Sequence, residues 1–223
     1  MDSRSRTRAL ILSTAGMVLV VIAATLFTFF LSYRPAYSAS ATGQSAVHVS
    51  ANGRAATLEL NIEQSVGIGT HNDWLGYQTL DQHPGTIFHL PQNALITVII
   101  HNFDSRTALR NTFFTLVQGT VGNVEYVDGR KIHIMSPDLT SHTFTIQDLN
   151  VSAPIEGISD GQNTAEQNNP KLSYSHTMKF QFRTPKGNHQ YRWQCIVPCG
   201  SGLYGNGGPM SEIGYMSGIF DIS

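Results

Sequence analysis

Apolar and polar residues alternate in short segments along most of the chain after Arg54. Such a period of two is typical of β-strands with one buried face, and turn residues bound nearly all of the segments. They are Ala56–Ile62, Thr86–Leu90, Leu95–Asn102, Asn111–Gln118, Asn123–Val127, Lys131–Met135, His142–Ile146, Ser175–Arg183, Tyr191–Cys195 and Gly214–Ile222. No sustained helical period follows Arg54. The pattern predicts an all-β fold, a two-sheet antiparallel sandwich with Greek-key connections.

Turn and loop signals divide these segments. Asp128 and Gly129 separate two of them and favour a tight hairpin, because a type I′ turn needs positive φ at both central positions. Asp148–Leu172 is rich in Gly, Asn, Gln and Ser and predicts a long surface loop. Gly200–Pro209 is a second, glycine-dense loop.

The N-terminal part has a different pattern. Ala9–Leu31 is a stretch of 23 residues without a charged side chain. A helix of that length rises about 34 Å, enough to cross a hydrocarbon core of roughly 30 Å. Arg4, Arg6 and Arg8 precede the stretch, and the positive-inside bias therefore places the N-terminus in the cytoplasm.

These features predict three regions. Residues 1–37 form a cytoplasmic tip and a single-pass transmembrane helix in the cell membrane, residues 38–54 a flexible tether, and residues 55–223 one extracytoplasmic domain. A signal peptide cleaved near Ala39–Ala41 is the alternative, but its apolar region would usually be shorter. Both hypotheses place the domain outside the cytoplasm.

Composition and charge limit the partners and the chemistry. The formal net charge of the 223-residue chain is -1, so it has no basic field and no nucleic acid partner is expected. Beyond residue 37 there are 10 basic and 14 acidic residues, a mildly acidic balance. No nucleophile elbow, phosphate loop or zinc-protease helix motif occurs, so a hydrolase is not favoured.

The candidate chemistry lies between Tyr191 and Met210. A predicted strand ends at Cys195, a loop then carries Cys199 and Met210, and far upstream His142 begins another predicted strand. Thiolate and thioether sulfur stabilise Cu(I) and imidazole nitrogen serves Cu(II), so this donor set favours copper. Ligands fixed on strand ends and a short loop suit one-electron transfer, because they rearrange little between the two oxidation states.

These segments resemble the cupredoxin family. Leu95–Asn102, followed by Asp104 and Ser105, resembles the family's inner strand and the turn after it. His142, with Thr143 and Phe144 after it, resembles the first histidine ligand. The resemblance implies a cupredoxin-like Greek-key sandwich.

The stretch from Cys195 to Met210 resembles the family's cysteine-to-methionine ligand loop. Within the family, Gln194, Cys195, Cys199 and Gly200 are most similar to the binuclear copper (CuA) domain of cytochrome oxidase subunit II. That domain is also membrane-anchored and lies outside the cytoplasm. The resemblance covers about half of the chain, 95–105 and 140–223.

The chain departs from the CuA motif in its loop. That motif has a histidine four residues after the second cysteine and a methionine three further on, where this chain has Leu203 and Asn206. The loop histidine is therefore missing. Three alternatives follow: a mononuclear copper held by His142, Cys195 and Met210 with Cys199 or a displaced histidine as fourth ligand, a modified binuclear site bridged by both thiolates, or a metal-free Cys195–Cys199 disulfide.

Other residues compete for these roles. His133 and His176 lie in predicted strands and are the candidates for a displaced ligand, whereas His101 lies in an apolar strand and is expected to be structural. Met216 is the rival thioether, but the pattern places it in the last strand.

Taken together, the residues and the resemblance imply a membrane-anchored, extracytoplasmic copper protein that transfers single electrons. A respiratory chain is the expected setting, with the chain as an oxidase subunit II-like component or a carrier, and a cytochrome or terminal oxidase as redox partner. Such a protein is an electron carrier or an oxidoreductase subunit rather than a stand-alone enzyme. The alternative is a cupredoxin-fold module for copper delivery or assembly, with a Cys195–Cys199 disulfide.

Overall fold

The computed structural model describes residues 43–64, 71, 73–85, 87–107, 109, 111–159, 175–201 and 205–223. The predicted transmembrane helix at Ala9–Leu31 lies outside these residues. Within the described part of the chain, no helix is long and apolar enough to span a bilayer. The helices there are short 3-10 turns, and strands form the rest of the regular structure.

Twelve strands are found among the described residues. In chain order they are β1 (Val47–Val49), β2 (Ala55–Glu63), β3 (Gly76–Gln78), β4 (Ile87–Leu90), β5 (Leu95–Asn102), β6 (Glu125–Val127), β7 (Arg130–Ile132), β8 (Thr140–Ile146), β9 (Val151–Glu156), β10 (His176–Arg183), β11 (His189–Gln194) and β12 (Ser217–Ile222).

The strands form two sheets. The first has the order β1-β2-β5-β10-β6-β7, with β3 paired to β2, and the second has the order β4-β12-β11-β8-β9. Most neighbours are antiparallel, but β2 pairs with β5 and β4 pairs with β12 in parallel. Parallel neighbours need long crossover connections, and β3 and β4 lie in the connection from β2 to β5. The fold is the predicted all-β sandwich, but it is mixed rather than fully antiparallel.

The core lies between the two sheets because successive side chains of a strand point to opposite faces. In β5, Ile96 and Val98 are fully buried, whereas Thr97 between them is half-buried. From the second sheet, the ring of Phe144 lies 5.8 Å from that of Phe180 in the first sheet and 5.5 Å from that of Trp193. The first contact joins β8 to the first sheet, and the second joins β8 to β11 within the second sheet.

The hairpin at Asp128 and Gly129 is confirmed. Their φ angles are 49° and 82°, as the type I′ turn requires. Val127 and Arg130 are the last cross-strand pair before this turn, so β6 and β7 form the hairpin.

The region after Ile146 differs from its prediction. Val151–Glu156, which the sequence analysis placed in a surface loop, forms strand β9 and is buried along its whole length. It pairs with β8 on one side, and Gln118 bridges Ser152 on the other. Its apolar residues do recur at every second position, but Pro154 and the polar, glycine-rich residues after it favour a loop in the sequence.

Two further segments differ from their predictions. Asn111–Gln118 was predicted to be a strand, but Thr112–Thr115 forms a 3-10 turn, and the Asn111 side chain accepts a hydrogen bond from the N–H of Phe113 at 3.1 Å. Part of the predicted tether 38–54 is the edge strand β1, in which Val47 is buried and pairs with Leu58.

Candidate metal centre

Cys195 follows the last residue of β11 and is fully buried. Its backbone N–H donates to the carbonyl of Met216 at 2.8 Å, which continues the pairing of β11 with β12 by one residue. The N–H of Thr143 in β8 points at its sulfur, with N and Sγ 3.5 Å apart. The thiol therefore lies between the end of β11 and the middle of β8, two neighbouring strands of the second sheet.

His142 lies near the start of β8 and is also fully buried. A β-bulge separates it from Thr140, because Thr140 pairs with Glu156 and His142 pairs with Ile155. Its Nδ1 lies 3.9 Å from the sulfur of Cys195. Its Nε2 lies 2.8 Å from Oδ2 of Asp104.

Asp104 belongs to the turn after β5 and is held by the backbone around it. The N–H of Ser105 donates to its Oδ1 at 2.8 Å, and its own N–H donates to Oδ1 of Asn102 at 3.1 Å. The N–H of Ile158 donates to its carbonyl at 3.0 Å. This carboxylate comes from the first sheet, whereas the imidazole that it contacts belongs to the second.

Cys199 and Met210 complete a group of sulfur atoms beside the imidazole. The Sγ atoms of Cys199 and Cys195 are 3.4 Å apart, much longer than the roughly 2.05 Å of a disulfide, and both cysteines are free. The Sγ of Cys199 lies 2.9 Å from Sδ of Met210. Met210 is 5% exposed and ends the 3-10 turn Gly208–Met210.

The loop that carries these sulfur atoms is closed by its own backbone. Ser201 and Gly207 exchange two hydrogen bonds of 3.1 and 2.8 Å, and the N–H of Gly200 donates to the carbonyl of Gly205 at 2.8 Å. A side chain at Gly200 has no room, because its Cβ would lie 2.0 Å from the carbonyl oxygen of Gly207 and 2.9 Å from Cγ of Met210. The glycines therefore allow Met210 to fold back onto Cys199.

The imidazole and the Cys195 thiol form a charged pair. Burial acts to lower the pKa of His142, but hydrogen bonds to Asp104 and Cys195, together with their charges, raise that pKa to about 9. Burial acts to raise the pKa of Cys195, but hydrogen bonds from Cys199 and His142 and the charge of His142 hold that pKa well below its ordinary value. Cys195 is therefore a thiolate, the form of cysteine that binds metals.

Cys199 and Asp104, which contact the pair of His142 and Cys195, have pKa values shifted in opposite directions. The hydrogen bond that its S–H donates to Cys195 raises the pKa of Cys199, and burial raises it further. Burial acts to raise the pKa of Asp104 too, but the hydrogen bond and charge of His142 and the N–H of Ser105 hold it below its usual range. Asp104 is therefore ionised behind the imidazole, and Cys199 is a neutral thiol.

The arrangement has the donors of a metal site. Ligand atoms of His142, Cys195 and Cys199 all lie within 4.8 Å of one another, and no other such group of three His, Cys, Asp or Glu residues occurs in the described ranges. Met210 adds a thioether in contact with Cys199. One nitrogen and three sulfur donors suit copper by ligand softness, so these residues form a possible copper site.

The competing residues lie elsewhere. His101 contacts Glu59 at 2.9 Å, His133 contacts the carbonyl of Asn123 at 2.9 Å, and His176 contacts Asp128 at 2.6 Å. None of these three histidines belongs to the donor group found among the described residues. The rival Met216 is buried, and its carbonyl accepts the N–H of Cys195.

Two residues that support the donors were not predicted from the sequence. Asp104 was noted only as part of a turn, and its partner lies 38 residues further along the chain. Tyr77 was not singled out, yet its buried hydroxyl donates to the carbonyl of Thr143 at 3.0 Å. The hydroxyl of Thr143 in turn accepts the N–H of Ile196 at 2.9 Å, so that both flanks of Thr143 are fixed. An aspartate directly after a predicted inner strand was the available signal for Asp104.

Comparisons with known proteins give no family assignment. No family model matches the chain, and no curated protein matches its sequence. Solved structures with a similar backbone include rusticyanin from Thiobacillus ferrooxidans, at 9% identity over 80% of this chain and 86% of that one with a TM-score of 0.33. A multicopper oxidase from Campylobacter jejuni, described as a metallo-oxidase, is 11% identical over 79% of this chain and 28% of that one, with a TM-score of 0.37. A heme-copper terminal oxidase dimer is 11% identical over 95% of this chain and 99% of that one, with a TM-score of 0.33. Similarity at this level does not define a function, which we derive from the geometry of the site.

Proposed function

We propose that this chain is a membrane-anchored, extracytoplasmic cupredoxin that binds copper and transfers single electrons. Its setting is a respiratory chain, where it serves as a component similar to the CuA-type subunit II of an oxidase or as a carrier to an oxidase. The proposed ligands are Nδ1 of His142, the thiolate of Cys195, the sulfur of Cys199, which loses its proton when copper binds, and the thioether of Met210. The redox partner is a cytochrome or a terminal oxidase.

One observation carries this proposal: four donors from two distant parts of the sequence converge in a buried place. His142 and Cys195 are fully buried, and Met210 nearly so. Each donor contacts the next. Nδ1 of His142 lies 3.9 Å from Sγ of Cys195, Sγ of Cys195 lies 3.4 Å from Sγ of Cys199, and Sγ of Cys199 lies 2.9 Å from Sδ of Met210. Strands and a backbone-closed loop hold them, so that little movement accompanies a change of oxidation state.

The donor count favours one copper per chain. One imidazole and three sulfur atoms make a four-coordinate set for a single ion, and no second histidine joins the group within the described residues. Copper would supply the one-electron couple. The protein supplies a fixed and largely dry environment, which sets the potential through ligand identity and local polarity.

The membrane anchor is part of the proposal. It is supported by the 23 uncharged residues from Ala9 to Leu31 and by the arginines before them. A sandwich tethered in this way stays close to the membrane in which respiratory partners lie.

The test is to load the purified full-length chain with copper and to measure copper content, absorption and the electron paramagnetic spectrum. We expect one copper per chain, a sulfur-to-copper absorption band and hyperfine splitting from a single nucleus. Cys195→Ser should abolish the band, whereas Met216→Leu, a change at the buried thioether that is not proposed as a ligand, should keep it. A Cys195→Ser variant that retained the band would exclude this ligand set.

A second candidate is a copper-delivery or assembly module. It is favoured by the single imidazole, by the preference of three sulfur donors for Cu(I), and by Cys199, which is only partly buried and offers an entry point. The two sulfur atoms, 3.4 Å apart, could also close to a disulfide in an oxidising exterior. Thiol titration of protein isolated without reductant identifies the disulfide form, because a copper-binding chain retains two metal-protected thiols and the disulfide form has none.

A further inference from the structure

We infer that Asp104 is a positioning residue of the proposed copper site: its carboxylate selects which nitrogen of His142 faces the sulfur atoms and stabilises Cu(II) relative to Cu(I). The inference rests on the proposed function, but its first part concerns the metal-free protein as well. It assigns a role to a residue that lies outside the ligand set.

The two ring nitrogens of His142 face different partners, one Asp104 and the other Cys195. Nε2 lies 2.8 Å from Oδ2 of Asp104, and because a carboxylate only accepts hydrogen bonds, Nε2 must carry the proton. Nδ1, which faces the sulfur of Cys195 at 3.9 Å, is then the nitrogen that gives up its proton and offers its lone pair when a metal binds. The carboxylate thus determines both the tautomer and the orientation of the ring.

Asp104 is rigid enough to impose this choice. Its other carboxylate oxygen accepts the N–H of Ser105, and hydrogen bonds to Asn102 and from Ile158 hold its backbone. Asn102 is itself tied to the second sheet, since its side-chain N–H donates to the carbonyl of Glu156 at 2.9 Å. A rotation of the imidazole would therefore leave Oδ2 of this largely buried carboxylate without its partner.

The charge of Asp104 affects the oxidation state. Three sulfur donors favour Cu(I), and one imidazole alone supplies the harder donor that Cu(II) prefers. The carboxylate makes the imidazole a stronger donor through the shared hydrogen bond. Its side chain is only 15% exposed, so its negative charge is weakly screened and favours the more highly charged ion. Asp104 therefore offsets part of the preference for Cu(I) that the three sulfur donors give the site.

The test compares Asp104→Asn and Asp104→Ala with the wild-type chain. Asparagine keeps the shape and an acceptor oxygen but removes the charge, so the absorption band should persist. The affinity for Cu(II) should fall about tenfold relative to that for Cu(I), which raises the reduction potential by about 59 mV for a one-electron couple. Alanine also removes the acceptor, and it should lower Cu(II) affinity by roughly 10–100-fold.

A second readout needs no metal. In the metal-free wild type, the Nε2–H of His142 should give a slowly exchanging, downfield proton resonance, which Asp104→Asn should shift and Asp104→Ala should remove. Asp221→Asn is the matched control, because Asp221 faces His89 at 3.3 Å on the surface and loses the same charge. It should leave the potential and the resonance unchanged.

The outcomes separate this inference from the proposed function. If the wild type binds no copper, the proposed function fails, and the resonance still tests the positioning role. If Asp104→Asn leaves the potential unchanged, or if Asp221→Asn shifts it equally, the charge effect is overturned. If the resonance persists in Asp104→Ala, the positioning role is overturned, and should that variant not fold, an unshifted resonance in Asp104→Asn leads to the same conclusion.

Discussion

Two buried methionines lie close to the donor group but differ in what their sulfur atoms do. Sδ of Met210 contacts the sulfur of Cys199 at 2.9 Å, whereas Met216 is connected to the site through its backbone carbonyl, which accepts the N–H of Cys195. Thioether sulfur is a soft donor that tunes copper sites, so the two side chains should respond differently to the same substitution.

Met210→Leu should weaken Cu(I) binding by about tenfold, a loss of about 1.4 kcal/mol, because one of four soft donors is removed with little change in volume. Met216→Leu is the matched control and should leave the affinity within about twofold. Competition titration with a Cu(I) chelator measures both. Equal losses in the two variants would show that the thioether of Met210 is not a ligand.

Glu125 is a second residue whose surroundings set its chemistry. It is fully buried in β6, and both of its carboxylate oxygens have no hydrogen-bond partner within the described residues. Burial, with a smaller effect from the charge of Glu156, raises the pKa of Glu125 well above its ordinary value. The folded protein therefore holds a proton there that the unfolded chain releases.

Glu125→Gln should reduce the loss of stability as the pH rises. Because the pKa of Glu125 is higher in the folded state, its contribution is fully present below the unfolded value near 4.5 and is lost as the pH rises toward the folded value. The loss is about 1.4 kcal/mol per pH unit in that range. Urea unfolding between about pH 4 and pH 8 should give a shallower slope and a more stable variant at neutral pH.

The control for this change is Glu212→Gln, in the half-buried segment before β12, which should keep the wild-type slope. Some slope should remain in Glu125→Gln, because burial also raises the pKa of Glu63 to about 7. A slope identical to that of the wild type would mean that Glu125 is ionised in the folded protein.

At the scale of elements, the ligand loop depends on close backbone contact. Gly200 has no space for a Cβ, which would meet the carbonyl of Gly207 at 2.0 Å, and the contact of Met210 with Cys199 depends on the same fold of the loop. The loop should therefore be sensitive to a single methyl group.

Gly200→Ala should lower copper affinity by at least about tenfold, because the loop must open to relieve the clash. Gly53→Ala is the control: a Cβ there meets nothing within 4 Å, but φ is +66°, so roughly 1–2 kcal/mol of stability should be lost without an effect on copper. Chelator competition and urea unfolding of the metal-free protein separate the two effects. Normal copper affinity in Gly200→Ala would contradict the close-packed loop.

Most strands with a continuous alternation of apolar and polar residues were predictable from the sequence, including β8, whose residues are all buried. β5 and β10 alternate regularly and agree with their predicted segments within one residue. β9 also has an apolar residue at every second position, but Pro154 and the polar, glycine-rich residues after it favoured a loop. The bridge from Gln118 to Ser152 on the outer edge of this strand comes from more than 30 residues away in the sequence, so no local pattern predicted it.

At the scale of the whole molecule, the candidate site was predictable in its donors but not in its support. His142, Cys195, Cys199 and Met210 were identified by residue type and order, and the fold brings their donor atoms together. The contact of His142 with Asp104 depends on how the two sheets pack, and the sequence does not show which residues that packing brings together. The predicted transmembrane helix remains a prediction.

The hydrogen bond between Asp104 and His142 connects the two sheets of the sandwich. Asp104 belongs to the turn after β5 of the first sheet and His142 to β8 of the second, so the bond forms only when the two sheets have packed together. Copper would then bind with native affinity only to the completely folded chain. A chain whose two sheets have not yet packed together would bind it weakly. A bound ion would in return resist separation of the layers, since a ligand that binds only the native state stabilises it by mass action.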